Sequence, residues 1–396
     1  MRIAMMVRGS ITTPPQNDIA YSPASVAKML ADGLAKRGHA ITFFGPEGTH
    51  FDEPVCVETC GLQPLATTMQ ELDDKIISSD LFASYQFGLS DGVLARQMLT
   101  RAQAGEFDCV IFHHFEAVLP LAPLFPTVPI VFILHDELDK KRRVALEQNA
   151  APNQHFISIS DNQRRNLPDL NYAATIYNGI DTDFFSLNEE AESYLIIAGR
   201  IVPEKGVKEA VQIAKQTNRR LLITGSLSKQ YYPYFDEEIK PHLDDKILYL
   251  GMLDRSQLVK YYQKAAALLA PVQWDEPFGL SMAEAMSCGT PVVAFSRGSV
   301  PEIVSNGVSG FVVNNSAEMI LAIDQLGKIK RKDCAKHVKE KFSEPTMIDN
   351  YERVLREIID PYNKRKNPKS AAKKPSYIKK NITGIAKLIT GQENKR

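Results

Sequence analysis

The chain has 396 residues, which is enough for about two domains of ordinary size. Its 44% apolar and 24% charged residues are typical of a globular protein, and no run of about 18 apolar residues offers a membrane span. Five cysteines, few and odd in number, argue against a disulfide framework and favour free thiols in the cytoplasm. The net charge is zero, but residues 363–396 hold eleven of the 47 basic residues and one of the 47 acidic ones, so the body is acidic and the tail basic.

Short apolar runs alternate with amphipathic stretches up to about Asp360, a pattern typical of parallel sheets with crossover helices. In the first half this pattern predicts helices over residues 23–36 and 92–104. The predicted strands of this half are 2–7, 40–44, 109–113, 130–135, 156–160 and 175–178.

The second half repeats the alternation after a polar stretch near residues 185–192. Its predicted strands are 194–198, 221–224, 247–250, 268–271, 291–294 and 310–313, and its predicted helices are 207–216, 256–265, 278–287 and 317–326. We therefore expect an α/β protein of two Rossmann-like, doubly wound domains, 1–187 and 188–345, facing each other across a cleft. A helix over 346–362 is expected to cross back to the first domain, with Pro361 ending it.

The basic tail, 363–396, is expected to be largely disordered, with isoleucines at helical spacing near its end. One interpretation is an amphipathic helix on an anionic membrane, which would place the protein at the inner face of the membrane. The alternatives are a solvated tail or a helix docked on the acidic body. Nucleic-acid binding is disfavoured because no aromatic stacking set accompanies the charges.

The segment from Glu276 to Glu284 carries the densest chemical signal. It follows a predicted strand and begins a helix, where Gly279 allows a ligand close to free backbone N–H groups that attract a diphosphate. The two carboxylates suit sugar hydroxyl groups, although helix capping and a surface charge would explain them equally well.

A second pair of motifs, Gly199-Arg200 and Lys205-Gly206, follows the first strand of the second half. Two cations at the carboxyl end of a strand, beside a helix N-terminus, are suited to neutralising a diphosphate leaving group. Two ordinary surface cations near a turn are the alternative.

Taken together, these residues resemble the retaining GT-B glycosyltransferases of family 4, also called group 1. The resemblance covers residues 1 to about 360. Its marks are the E-x7-E element from Glu276 to Glu284, the segment Gly199 to Gly206, Tyr177-Asn178-Gly179-Ile180-Asp181, and Gly298-Ser-Val-Pro301-Glu302 running into 310–313.

The resemblance implies a hexosyltransferase whose donor is a UDP-hexose, with UDP-glucose as the expected donor. It implies that Arg200 and Lys205 hold the diphosphate, Glu276 the sugar hydroxyls and Glu284 the ribose. Backbone groups of Phe278, Gly279 and Leu280 would complete the donor pocket. No cofactor is expected. The acceptor stays open between an envelope glycan, a lipid, a small metabolite and a protein.

The histidines of the first half are the remaining candidates. Family members often carry an Asp followed five residues later by a His near the reacting sugar, which selects His113; a core histidine is the alternative. His114, His135 and Ser160 are weaker candidates at the ends of predicted strands.

The sequence departs from the family in the loop before the first long helix, where Tyr21-Ser22-Pro-Ala-Ser25 replaces the usual Gly-Gly pair. Ser22 is a candidate substitute for the lost backbone contacts. Asp181-Thr-Asp183 imitates a metal-binding D-x-D motif, but it follows Asn178-Gly179, so we interpret it as a turn and expect no metal.

Other activities are less consistent with these motifs. No G-x-G-x-x-G follows a predicted strand, which disfavours a nicotinamide oxidoreductase. A non-catalytic sugar-nucleotide binder or membrane-attached scaffold would be expected to lack motif residues, yet both glutamates, the arginine and the lysine are present.

Overall fold

The computed structural model describes residues 1–16, 19–77 and 81–366, without the side chains of 81–84 and 365–366. Within these residues the strands form two parallel sheets, with the orders β3-β2-β1-β4-β5-β6-β7 and β10-β9-β8-β11-β12-β13. The first sheet contains β1 (Arg2–Met6), β2 (Ala40–Phe44), β3 (Cys56–Glu58), β4 (Cys109–Phe112), β5 (Ile130–Leu134), β6 (Gln154–Ser158) and β7 (Tyr172–Thr175). The second contains β8 (Leu195–Ala198), β9 (Leu221–Thr224), β10 (Ile247–Tyr249), β11 (Ala267–Ala270), β12 (Val292–Phe295) and β13 (Gly310–Val313).

Helices connect the strands in each half. They are α1 (Ser22–Lys36), α2 (Met69–Ile77), α3 (Leu81–Gln103), α4 (Lys140–Gln148), α5 (Val207–Gln216), α6 (Tyr232–Tyr234), α7 (Arg255–Lys264), α8 (Leu280–Ser287), α9 (Val300–Ile303), α10 (Ser316–Ile323), α11 (Arg331–Lys341) and α12 (Glu344–Lys366). Short 3-10 turns include Asn162–Arg164, Pro203–Lys205 and Lys229–Tyr231.

The central strands are buried on both faces, which explains their continuous apolar sequences. Every residue of β5, Ile-Val-Phe-Ile-Leu, is buried, and so is every residue of β11 and β12. Each fully buried Ile, Leu or Val side chain stabilises the fold by roughly 1.5–3 kcal/mol. The helices cover the two faces, as α5 does with Val207, Ala210, Val211 and Ala214 at helical spacing. This confirms the expected fold of two doubly wound Rossmann-like halves.

The structure differs from the sequence-based expectations in several elements. The three-residue edge strand β3 and the helices α2, α4 and α11 were not predicted. Since α4 buries only Leu146, it lacks the apolar periodicity that identifies a helix. The prediction that Pro361 ends the last helix is wrong: α12 continues to Lys366, because one proline near an exposed end removes only one hydrogen bond.

The contacts group residues Met1–Ile359, which include both sheets, into one compact unit, and Asp360–Arg396 into a second. Within the first unit, α12 packs on α1, where Arg37 pairs with Asp349 at 2.6 Å and with Glu352 at 3.1 Å. A second link joins α2 to the loop after β9, where the buried carboxylate of Asp73 accepts the Ser228 hydroxyl at 2.5 Å and the Lys229 N–H at 2.9 Å. The two halves are therefore connected on more than one side.

The five cysteines are free thiols, as expected. Among the described residues, no helix combines the length and the apolar composition needed to cross a bilayer. The predicted amphipathic helix of the tail lies outside the described residues.

Candidate functional site

Each sheet has one point where the strand order reverses. In the first sheet the reversal lies between β1 and β4, and in the second between β8 and β11. Doubly wound sheets bind ligands outside the carboxyl ends of the strands at these points. The residues that follow β1, β4, β8 and β11 are therefore the first candidates for a site.

Two glycines, Gly206 and Gly225, bring the loops of the second half close together. Gly206, with φ of 73°, begins α5, and a Cβ atom there would collide with the carbonyl oxygen of Pro271, directly after β11. Gly225, after β9, leaves no room for a Cβ atom beside the carbonyl oxygen of Gly199, after β8. The segments predicted to bind the diphosphate thus depend on backbone contacts that larger residues would prevent.

Glu276 lies at the centre of this edge. It is 6% exposed, and its Oε2 accepts hydrogen bonds from Lys205 Nζ at 2.5 Å and from Trp274 Nε1 at 3.0 Å. The structure therefore brings together Lys205 and Glu276, which are distant in the sequence. Trp274 was not predicted, although it is the only tryptophan of the chain and lies two residues before Glu276.

The backbone around Glu276 rests on the segment that begins at Gly298. Gly298 has φ of 60°, and a Cβ atom on it would collide with the backbone N of Glu276. The next residue, Ser299, donates its N–H to the carbonyl oxygen of Glu276 at 2.8 Å. These contacts give the Gly298 motif a structural function, because they support the backbone of Glu276.

Glu302, one turn further along, reaches the first half. Its carboxylate accepts the backbone N–H groups of Asp161 and Asn162, both at 2.8 Å, and the hydroxyl of Tyr177 at 3.1 Å. The segment from Gly298 to Glu302 thus supports the backbone of Glu276 and also anchors the loop after β6. The motif was noted in the sequence, but this bridging contact was not predicted.

The helix after Glu276 begins later than predicted, at Leu280. Gly279 is its N-terminal cap residue with φ of 85°, and a Cβ atom there would collide with Met282. Phe278 is 2% exposed and its ring packs 5.8 Å from that of Phe342, so it has only backbone groups to offer a ligand.

Glu284 is half-buried, with Tyr262 and Arg255 beside its carboxyl group. Burial raises the pKa of Glu284 to about 7, although the positive charge of Arg255 acts in the opposite direction. Near neutral pH this carboxyl group therefore exchanges between a hydrogen-bond donor and an acceptor.

Arg200 is exposed, and its side chain forms no ion pair with any described residue. It differs in this respect from Lys205, whose charge is already partly compensated by Glu276. Among the described residues of this edge, Arg200 is therefore a cation that no carboxylate compensates.

The predicted histidine of the first half, His113, is only 2% exposed. Its Nδ1 lies 2.9 Å from Nε2 of the half-buried His135, and the two rings stack at 5.2 Å. Burial lowers the pKa of His113, and it lowers that of His135 to about 4, so both rings are neutral at pH 7. Nε2 of His113 has no hydrogen-bond partner among the described residues.

The other polar groups at this edge form a connected network. His114 pairs with Glu116 at 3.0 Å, and Glu116 also contacts Arg142. Burial and the charges of Arg8 and Arg142 lower the pKa of His114.

An unpredicted pair, Arg8 and Asp91, lies beside this network. Asp91 is 1% exposed and accepts the Gly9 N–H at 2.6 Å, and its Oδ2 lies 3.5 Å from Arg8 Nη1. Burial raises the pKa of Asp91 to about 6. The hydroxyl of Tyr21, in the loop that replaces the Gly-Gly pair, lies 3.5 Å from Nε of Arg8.

The two predicted serines differ in position. Ser22 is exposed at the start of α1. Ser160 is fully buried, and its Oγ accepts the Gln163 N–H at 3.3 Å, which indicates a structural role.

A small pocket between the halves reaches Glu276. Its lining residues are polar apart from Leu138 and Pro277, and they are Glu137, Leu138, Asn162, Gln163 and Asn166 of the first half and Asp275, Glu276 and Pro277 of the second. Glu276 therefore lines an opening that residues of both halves share.

Asp181 forms the turn that the sequence indicated, since its Oδ1 accepts the Phe184 N–H at 2.9 Å. Across the parts of the chain that the structure describes, no group of three or more His, Cys, Asp or Glu residues is arranged to hold a metal ion.

Two family models match successive parts of the chain. The family model "Glycosyltransferase Family 4" matches residues 24–184, and "Glycosyl transferases group 1" matches residues 179–342. The N-acetyl-alpha-D-glucosaminyl L-malate synthase of Bacillus anthracis is 22% identical over 84% of this chain and 93% of its own length. An uncharacterized 41.2 kDa protein from the cps region of Klebsiella pneumoniae is 26% identical, but the match spans 41% of this chain and 46% of that protein.

The solved structures show the same fold. The Anabaena protein HepE in complex with UDP-glucose superimposes with a TM-score of 0.66 at 17% identity, covering 90% of this chain and all of that one (100%). The two matched family models, the two doubly wound sheets and this structural similarity agree with one another. The chain belongs to the GT-B glycosyltransferases of family 4, also called group 1.

Proposed function

We propose that this chain transfers a hexosyl group, with retention of configuration, from UDP-glucose to a hydroxyl group of an acceptor. The observation that carries the proposal is the buried Glu276 carboxylate, paired with Lys205 and placed beside the N-terminus of α8. Since HepE was solved with UDP-glucose, that relative supports the choice of donor.

In this proposal the second half holds the donor. Arg200 and Lys205 bind the diphosphate, the N–H groups at Gly279 and Leu280 add further donors, and Glu284 accepts from the ribose. Glu276 accepts a hydroxyl group of the hexose. The cations stabilise the charge that grows on the diphosphate as the bond from the anomeric carbon to the phosphate oxygen breaks.

The acceptor hydroxyl attacks from the same face as the departing phosphate. Its oxygen forms the new bond to the anomeric carbon, its proton passes to the phosphate oxygen, and UDP leaves. The pair His113 and His135, neutral and beside the cleft, is proposed to orient the reacting groups without taking a charge. The acceptor is an envelope glycan or a small metabolite, and the L-malate in the name of the Bacillus relative favours the small metabolite.

A screen of nucleotide sugars tests the proposal. UDP-glucose should raise the unfolding temperature most, since a ligand at about 100 times its Kd stabilises by roughly 2.7 kcal/mol. Slow hydrolysis without acceptor should then release glucose with the configuration it has in the donor, as measured by NMR. A lack of stabilisation by every UDP-hexose would contradict the donor assignment, and release of the opposite anomer would contradict retention.

We propose further that the reaction needs no metal ion, because two cationic side chains already face the diphosphate. Full hydrolysis activity in excess EDTA supports this. Loss of activity that Mg²⁺ or Mn²⁺ restores would overturn it.

The basic segment 363–396 is proposed to bind anionic membranes, on the basis of its composition alone. Full-length protein should sediment with phosphatidylserine vesicles, and the chain truncated after residue 362 should not. Equal behaviour of the two would contradict this role.

A further inference from the structure

The single tryptophan of the chain touches both members of the ion pair at the donor site. Trp274 Nε1 donates to Glu276 Oε2 at 3.0 Å, and the centroid of its ring lies 4.9 Å from Lys205 Nζ. The side chain is half-buried and packs against the core cluster that contains β8 and β11, so its ring is held in place.

The hydrogen bond from the indole determines which oxygen of Glu276 is free. Lys205 and Trp274 both donate to Oε2, and the described residues offer Oε1 no donor. The Lys205 ammonium sits on a flexible stem, whereas the indole has one N–H with a single direction. The tryptophan therefore fixes the position of Oε2 and leaves Oε1 available for a hydroxyl group.

The face of the indole acts on the other partner. A ring attracts a cation by its quadrupole and leaves the positive charge in place. Lys205 can therefore turn from Glu276 towards an incoming diphosphate and stay in contact with the ring. A carboxylate in place of the ring would hold the lysine and neutralise it.

We propose that Trp274 is a positioning residue for sugar transfer. Its N–H orients Glu276 towards the hexose, and its ring keeps Lys205 within reach of the diphosphate. This inference rests on the proposed function, because it assigns Trp274 a part in binding the same donor.

Two substitutions separate the two contacts, with hydrolysis of UDP-glucose as the assay. Trp274→Phe keeps a ring and loses the N–H, so kcat should fall about 10- to 100-fold while KM for UDP-glucose changes little. Trp274→Leu loses both contacts, so KM should rise as well. Tyr85→Phe, at an exposed ring, serves as the matched control and should behave as the wild type.

A fall in kcat without a change in KM distinguishes positioning from a general loss of stability. A loss of stability would lower the activity of both variants alike. A Trp274→Phe protein with wild-type kcat would overturn the inference, and so would equal changes of kcat and KM in both variants. If UDP-glucose does not bind the wild type at all, the proposed function fails first, and calorimetry on the unmodified protein shows this.

The tryptophan fluorescence of the wild-type protein tests the inference without any substitution. Because the chain has one tryptophan, its emission reports only on position 274. Saturation with UDP should shift that emission as Lys205 moves relative to the ring. Binding of UDP, measured by calorimetry, without any change in emission would overturn the inference.

Discussion

The two reversal points of the sheets share one topology and carry different charges. At the edge of the second sheet, Lys205 is paired with one buried carboxylate and Arg200 has no ion-pair partner among the described residues. At the edge of the first sheet, Arg8 and Arg142 are each held by carboxylates, and the two stacked histidines are neutral.

We propose that this difference assigns the two substrates to the two halves, the donor to the second and the acceptor to the first. A diphosphate needs cations that are free to approach it, and Arg200 offers one at the second edge. A neutral acceptor hydroxyl needs oriented polar groups without net charge, which suits the first edge. In this proposal the same topology supports two kinds of binding, because the residues that follow the strands at the two reversal points differ.

Substitution of Glu276 is the strongest test of the proposed difference between the two edges. Glu276→Gln should lower kcat for UDP-glucose hydrolysis about 100- to 1,000-fold, since it removes the charged acceptor for the hexose. Binding of UDP alone should persist, because the nucleotide lacks the hexose. Glu340→Gln, an exposed glutamate on α11, is the control and should be fully active. Normal turnover of Glu276→Gln would refute the assignment.

The histidine pair tests the first edge. His113→Ala and His135→Ala should each lower kcat about 10- to 100-fold, because each ring orients the other through the 2.9 Å contact. The double variant should lose little more than either single variant, since coupled residues are not additive. Two independent, additive losses would show that the pair does not act as a unit.

One acid with a raised pKa in each half predicts a pH dependence of stability. The folded pKa is raised from 4.5 to about 7 for Glu284 and from 3.8 to about 6 for Asp91. The folded state then binds more protons than the unfolded state, so each acid lowers the free energy of unfolding as pH rises through its window. Glu284→Gln and Asp91→Asn should therefore gain about 1–3 kcal/mol relative to the wild type between pH 4 and pH 8.

Urea unfolding at a series of pH values measures this gain. For Asp91→Asn it should be complete near pH 6 to 7, and for Glu284→Gln it should continue to about pH 8. A constant difference from the wild type at every pH would show that neither acid is perturbed.

Glu302 tests the connection between the two edges, and the expected effect is smaller. Glu302→Gln has one acceptor oxygen for the N–H groups of Asp161 and Asn162, so we expect a loss of about 1–2 kcal/mol in unfolding free energy. The kcat for hydrolysis should fall several-fold as the loop opposite Glu276 shifts.

Glu318→Gln is a matched control, because Glu318 also accepts a backbone N–H, from Asn314, without joining the halves. It should lose stability and keep its turnover. Equal loss of turnover in the two variants would contradict the role of Glu302 as a link.

The sequence predicted the fold well where burial is complete. Strand β5 is apolar throughout because both of its faces are covered, and α5 shows its buried face at helical spacing. Helix α4 was not predicted because only one of its nine residues, Leu146, is buried. Its sequence therefore has no apolar face.

At the site, the motifs indicated Glu276 and Lys205 but not the contact between them. That contact depends on the pairing of β8 with β11, and neither motif contains information about strand order. Arg8 and Asp91 were missed because a buried aspartate in a helix has no local signature. Glu302 lay in a recognised motif, yet its partners are 141 and 140 residues away in the sequence. Trp274 did have a signal in the sequence, because it is the single tryptophan of the chain and lies two residues before Glu276.

Calorimetric titration with UDP tests the division of labour most directly. The Arg200→Ala, Lys205→Ala double variant should bind UDP at least about 100-fold more weakly than the wild type, since two charge-assisted contacts are lost. The His113→Ala, His135→Ala double variant should bind UDP as the wild type does. Loss of UDP binding in the histidine variant, with binding retained in the arginine–lysine variant, would contradict the account.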